Sequence, residues 1–194
     1  MPPLRQTHLS GRLAAWAAQV EVRLPELVPG RGQRPERVHE AVSYALTSPG
    51  KRLRPVLTLV VAEMLGETRP EVLDLACAVE MVHACSLVLD DLPSMDDASL
   101  RRGRPTTHRV YGEDVAVLAA MALLNRAYAV VVESTQRLHL KRWATEDLVH
   151  HLAAAIGTGG LIGGQALDVE SGVVDLELAR HEYNHSHKTG TLFI

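Results

Sequence analysis

Apolar residues recur three and four positions apart over 9–27, 38–46, 53–65, 72–89, 115–138, 146–156 and 176–187. That is the period of a helix face, so each stretch is expected to form an α-helix. Strict alternation of apolar and polar residues, the mark of a half-buried strand, is nearly absent. The patterns break where glycine and proline gather: Pro29-Gly30-Arg31-Gly32, Pro49-Gly50, Gly103-Arg104-Pro105 and the glycine-rich 157–164. The expected fold class is therefore all-α, a helical bundle forming a single domain over 1–194. Within the stretch 72–89, residues 75–89 read LACAVEMVHACSLVL with scarcely a polar break. A helix that is apolar all round belongs at the centre of a bundle. This one runs directly into Asp90-Asp91, which puts two carboxylates at the mouth of the core. Residues 115–132 are as apolar, but Asn125 and Arg126 interrupt them, so a buried helix is expected there and no membrane span.

Composition narrows the picture. With 194 residues, 46% of them hydrophobic, the chain can bury a substantial core. A net charge of −3 gives no bulk electrostatic case for a nucleic-acid partner or a polybasic membrane contact. Cys77 and Cys85 share one apolar segment without metal-site spacing, and read as reduced, buried thiols of a cytoplasmic protein. The N-terminal MPPLRQTHLSGRLAAW has no long apolar core before a cleavage site, so no signal peptide is expected.

The chemistry concentrates in SLVLDDLPSMDDASLRRGRPTTH, residues 86–108. Asp90, Asp91, Asp96 and Asp97 crowd behind the oily helix. Adjacent carboxylates at a helix C-terminus repel each other and face the negative end of the helix dipole. A cation must offset this. Arg101, Arg102 and Arg104 could do so directly, as a salt-bridged loop. Mg²⁺ could do so instead, because it prefers oxygen ligands and bridges carboxylates to substrate phosphates, which the arginines would then grip by charge-assisted forks. A second basic cluster, SPGKRLRP, sets Lys51, Arg52 and Arg54 at the start of a helix, where anions are favoured, with Pro55 tolerable in the first turn. It could equally be a solvated basic turn. A third basic element, His187-Lys188-Thr189-Gly190-Thr191, lies near the end of the sequence. Carboxylates with several separate basic groups suggest a substrate carrying more than one phosphate, or two such substrates. His181 and His185 have the spacing of a helical zinc pair but lack a third ligand, and 157–164 lacks the GKS/T ending of a phosphate loop. The glycines there read as close helix packing that positions Gln165.

Taken together, SPGKRLRP, EMVHACSLVLDDLPSMDDASLRRGRPTTH, GGQALD and HKTGTLF resemble the trans-isoprenyl diphosphate synthases, the polyprenyl synthetase family, and most closely its bacterial carotenoid-type geranylgeranyl diphosphate synthases. The resemblance runs in order from about Val38 to Phe193. It implies a terpenoid-synthase-like bundle with a central active cavity. It implies that Asp90, Asp91 and Asp96 hold Mg²⁺ on an allylic diphosphate that Arg101 also contacts. Lys51, Arg54, His83 and Arg102 would bind isopentenyl diphosphate. Gln165, Lys188 and Thr189 would close over the allylic side, with Asp168 nearby, and Asp97 would be an extra carboxylate behind the metal. The implied reaction is ionisation of the allylic diphosphate, condensation with isopentenyl diphosphate and loss of a proton. Farnesyl-forming relatives carry an aromatic at the position of Cys85. Here Cys85 and Ser86 are small, which implies a longer, C20 product. Relatives are commonly homodimers, and the same is implied here.

The resemblance breaks in places. Leu89 and Ala120-Met121-Ala122-Leu123 replace common family residues, as they do in the carotenoid-type enzymes. The family's second aspartate-rich motif is not found in these 194 residues. The expectation is a synthase lacking its C-terminal part, 1–194 being roughly the first two-thirds of the fold. The alternative is a non-catalytic homologue or a regulatory subunit of a partner synthase.

Overall fold

The computed structural model describes residues 4–171, with side chains described over 10–169. These residues form two compact units, one ending at Leu138 and one beginning at His139. The first contains α1 (Leu4–Arg23), a 3₁₀ turn (Leu24–Leu27), α2 (Glu36–Leu46), α3 (Leu53–Met64) and α4 (Glu71–Asp90). It continues with a two-stranded hairpin, β1 (Leu100–Arg101) and β2 (Arg104–Pro105), then the short α5 (Thr107–Tyr111) and the long α6 (Glu113–Leu138). The second contains α7 (Thr145–Ile156) and α8 (Leu161–Ser171). The all-α expectation holds. The helix expected over 176–187 lies outside the described residues, as do Lys188, Thr189, His181 and His185.

The core of the first unit is the α4–α6 interface, with α3 and α1 against α4 and α2 against α6. On α6, Ala116, Ala119, Ala120, Leu123 and Ala127 are fully buried. Their three- and four-residue spacing makes one face, and the alanines let the two backbones come close. On α4, Ala76, Cys77, Ala78 and Met81 are fully buried, and Val82, Cys85 and Val88 nearly so. These positions fall all round the helix, as its sequence demands. Burial pushes the Cys77 thiol up to about 12 and the Cys85 thiol up to about 11, so both stay protonated.

Helices α4 and α6 and the stretch Thr145–Val169 are long and apolar enough to cross a membrane, by length and composition. In α4, 61% of that apolar window is buried inside the protein, so core packing already accounts for most of its apolarity.

Two charges sit inside the α4 core. Asp74, 3% exposed, accepts from Arg23 at 2.7 Å and Arg137 at 2.8 Å. Glu80, 4% exposed, accepts from Arg52 at 2.8 Å. Buried carboxylates are tolerated only when paired in this way.

In the second unit, the glycine-rich stretch does not break the chain throughout. Helix α8 begins inside it, at Leu161. A Cβ on Gly160 would run into the carbonyl of Ala155, and one on Gly163 into the backbone of Thr158. Glycine is needed here because the chain turns tightly enough for backbone five residues apart to touch. Gln165 and Asp168 ride on α8.

Candidate active site

The end of α4 sets the first half of the site. Asp90 is its last residue and Asp91 its C-cap. The chain then folds back: the Asp96 amide donates to the Asp90 carbonyl at 2.9 Å, and the Asp97 amide to the Leu92 carbonyl at 3.0 Å. This brings the Asp96 backbone up to the end of the helix. Asp97, at a positive φ of 46°, faces outward and pairs with Arg109 at 3.2 Å, away from the other carboxylates.

The hairpin supplies the arginines. Arg101 pairs directly with Arg104 across the ladder, leaving the two-residue turn Arg102-Gly103. Both turn residues have positive φ, 53° and 78°. That is the type I′ geometry, whose twist suits a tight hairpin and favours glycine at the second position. It splits three neighbouring arginines among three tasks. Arg101 reaches back to Asp91 at 2.7 Å and lies 3.8 Å from Asp90. The Asp91 bond raises the Arg101 pKa further. Arg102 donates to the Pro49 carbonyl at 2.6 Å. Arg104 turns away from the carboxylates: it donates to the Thr47 carbonyl at 3.1 Å and stacks on the Tyr44 ring at 4.3 Å. Of the three arginines that could have offset the aspartates, Arg101 is the one placed to do so.

The last carbonyls of a helix lack intrahelical donors and carry its negative pole. Around the end of α2, arginines fill that need. Arg104 takes Thr47, Arg102 takes Pro49, and Arg52 takes both Leu46 and Ser48 at 2.9 Å. The Tyr44 hydroxyl completes the join by donating to the Pro105 carbonyl at 2.7 Å. The hairpin is thus pinned to the corner between α2 and α3.

That corner forms the second half of the site. A cleft of about 520 Å³ is lined by Lys51, Arg52, Arg54, His83 and Arg102, with Glu80 as its acidic member. Its lining includes all four residues expected on the isopentenyl side. A small neighbouring pocket shares Arg52, Glu80, His83 and Arg102 and adds Asp91 and Arg101, so the two halves are adjacent. Cys85 and Ser86 line neither pocket. The Ser86 hydroxyl donates to the His83 carbonyl at 2.8 Å.

His83 Nε2 lies 3.5 Å from Arg54 Nη1. An arginine can only donate, so Nε2 is the acceptor and the proton of a neutral ring is on Nδ1. Burial, followed by the charges of Arg54, Arg102, Arg101 and Arg52, pulls the His83 pKa down to about 3 from an ordinary 6.5. The unfolded chain takes up a proton below 6.5 that the folded chain refuses until about pH 3. Stability therefore rises with pH across that window and is lost as pH falls through it. Urea midpoints between pH 6.5 and 4 should drop more steeply for the wild type than for His83→Gln.

Gly50 makes room for this corner. A Cβ there would overlap the Arg102 guanidinium. Gly50→Ala should displace Arg102 with little effect on melting. It should weaken binding of inorganic pyrophosphate, used as an anionic probe of the cleft, roughly tenfold, the worth of one charge-assisted hydrogen bond. A titration calorimetry series would read this.

The carboxylates of Asp90, Asp91 and Asp96 are hard oxygen donors of the kind Mg²⁺ takes. Among the described residues no three His, Cys, Asp or Glu side chains converge into a cage. One or two of these carboxylates would meet what Mg²⁺ asks of a protein, since it keeps waters and shares phosphate oxygens.

An Asp-rich helix end stands beside a cationic cleft in an all-helical bundle. Comparison gives the family. The polyprenyl synthetase profile matches residues 35–194, and the chain belongs to that family. It is 46% identical over 178 residues to a geranylgeranyl diphosphate synthase of Pantoea ananas, covering 91% of this chain and 58% of that protein. It is 44% identical over 179 residues to a heterodimeric geranylgeranyl pyrophosphate synthase large subunit 2 of Arabidopsis thaliana, covering 91% of this chain and 46% of that protein. The chain thus spans about half the length of the curated relatives it matches. A solved FPP/GFPP synthase from Zymomonas mobilis superposes with a TM-score of 0.89 at 32% identity, covering 96% of this chain and 67% of that one. A geranyltranstransferase from Thermotoga maritima gives 0.78 at 35% identity, covering 93% and 64%.

Sequence reasoning missed Glu80 and grouped Arg52 with the anion-binding cations, whereas the structure turns Arg52 inward onto Glu80. Arg52 and Glu80 were visible only as one more basic residue in SPGKRLRP and one polar break in an oily helix. A lone Glu inside such a helix is itself a signal, since it demands a buried cation.

Proposed function

We propose that the protein is a Mg²⁺-dependent prenyltransferase. It joins isopentenyl diphosphate to a geranyl or farnesyl diphosphate and gives a trans C20 diphosphate. The observation that carries this is the 520 Å³ cationic cleft, whose Arg52, Glu80, His83 and Arg102 also line a small pocket walled by Asp91 and Arg101, so that a basic site and an aspartate-bearing helix end lie side by side. Lys51, Arg54 and Arg102 bind the isopentenyl diphosphate, and neutral His83 offers it Nδ1–H. Asp90, Asp91 and Asp96 hold Mg²⁺, which when bound supplies positive charge to the departing allylic diphosphate. Arg101 moves from Asp91 to phosphate oxygens as the substrate arrives. Family resemblance of GGQALD and HKTGTLF extends the proposal to Gln165, Lys188 and Thr189 as further ligands of the allylic diphosphate. The apolar walls of α4 keep water from the allylic cation. The proposal takes 1–194 as part of one synthase domain, in a cytoplasmic homodimer.

Titration with isopentenyl diphosphate and with farnesyl diphosphate, each with and without Mg²⁺, tests this. Isopentenyl diphosphate should bind after chelation, because its cleft is made of cations. Farnesyl diphosphate should need the metal. Binding of neither would refute the proposal.

Product length rests on Cys85, which is buried five residues before Asp90. Cys85→Tyr should shorten the dominant product from C20 to C15, read by chromatography of the dephosphorylated alcohols. An unchanged length would remove Cys85 from that role.

A further inference from the structure

The basic cluster at the start of α3 contains a cation that is not available to any substrate. Arg52 is 7% exposed although it stands between Lys51 and Arg54. Its Nη1 donates to Glu80 at 2.8 Å and its Nε to Glu21 at 3.2 Å. Its Nη2 donates to the carbonyls of Leu46 and Ser48, at 2.9 Å each. All three guanidinium nitrogens are therefore engaged, on α1, α4 and the end of α2. Its backbone is left-handed, φ 48° and ψ 36°, at the N-cap of α3. A side chain with a Cβ adopts that conformation at a cost, which persists only where surrounding contacts over-determine it. Here the contacts are those of the arginine itself.

We infer that Arg52 is a positioning residue: clamped to Glu80 and the end of α2, it fixes the corner from which Lys51 and Arg54 face the isopentenyl-side cleft, and it masks a carboxylate that would otherwise repel the diphosphate. The inference rests on the proposed function of that cleft. Glu80 lines the cleft one turn before His83. With Arg52 removed, it would present an uncompensated negative charge to the ligand. The left-handed turn would also lose the fork that holds it, so Lys51 and Arg54 would sample other directions. The Asp90–Asp91–Arg101 cluster has its own ion pairs, and the effect should stay on the isopentenyl side.

Two variants separate this role from fold support. The double variant Arg52→Met/Glu80→Leu replaces a buried ion pair by apolar groups, a change that is often neutral for stability. Arg52→Lys keeps the charge opposite Glu80, but a single ammonium cannot reproduce the planar fork. Each is checked for a wild-type-like melting transition and titrated with isopentenyl diphosphate and with Mg²⁺–farnesyl diphosphate. Both should bind isopentenyl diphosphate roughly tenfold or more weakly, with farnesyl diphosphate affinity unchanged. Undiminished isopentenyl diphosphate binding in the folded variants would overturn the inference. Equal weakening of both ligands would also overturn it, since Arg52 would then support the fold in general. A wild type that binds no isopentenyl diphosphate would instead refute the function assigned to the cleft, and this inference with it.

Discussion

On the proposed function, Asp90→Asn and Asp91→Asn should each lower turnover about a thousandfold, and Asp90→Asn should do so without the loss of stability expected from breaking the part-buried Asp91–Arg101 pair. The loss follows from the charge the carboxylates hold: a metal at such a site contributes several kcal/mol to a developing anion, and each ~1.4 kcal/mol is tenfold in rate. The stability half comes from the local electrostatics. Two carboxylates stand at the negative pole of α4, where anions are disfavoured by about 0.3–1 kcal/mol each, and they repel one another. Asp90 is the cleaner case, because its contact with Arg101 is the longer one, 3.8 Å against 2.7 Å for Asp91. Removing its charge relieves the repulsion with Asp91. Loss of activity together with a raised melting temperature would be the signature of residues kept for function against the preference of the fold. Asp90→Asn with lost activity and a collapsed fold would assign it a structural role instead.

Glu80→Leu should have the largest effect on stability, up to about 3–5 kcal/mol, because it takes from a buried guanidinium its buried counterion and leaves it only the exposed Glu21. Both partners are almost sealed, with side chains 6% and 5% exposed, so Arg52 cannot recover hydration without moving the corner. Asp74→Leu is the informative contrast. Its partners Arg23 and Arg137 are 32% and 50% exposed and can turn to water once the carboxylate is gone. Two ion pairs lost there should cost less than one lost at Glu80. Urea denaturation of the two variants side by side gives the order. The reverse order would mean that the Arg52–Glu80 pair is less isolated from solvent than its burial indicates.

Much of the fold could be read from periodicity. Helix α4 announced itself as central because its apolar residues leave no polar face, and the structure buries it between α6, α3 and α1. The hairpin could not be read that way. Two-residue strands have no period to detect, and Leu100–Arg101 and Arg104–Pro105 are held by turn geometry and by Tyr44. Helix α8 was hidden for the opposite reason: Gly160 and Gly163, which ordinarily signal a break, are there to let backbones touch. In the site, residue types and order pointed to Asp90, Asp91, Lys51 and Arg54. The pairing of charges was not legible. Arg52 and Arg54 are two letters apart in the same basic run, yet one faces inward to Glu80 and the other lines the cleft beside His83. Only the left-handed turn at Arg52 separates their directions, and nothing in the local pattern encodes it.

The central claim is tested most directly by incubating the protein with labelled isopentenyl diphosphate, farnesyl diphosphate and Mg²⁺, and following label into prenyl product. The account predicts a C20 diphosphate and released pyrophosphate, with no product when Mg²⁺ is chelated or the allylic substrate is omitted. A protein that binds both substrates yet joins none of them would contradict it, and would point to a subunit that holds diphosphates on behalf of a partner synthase.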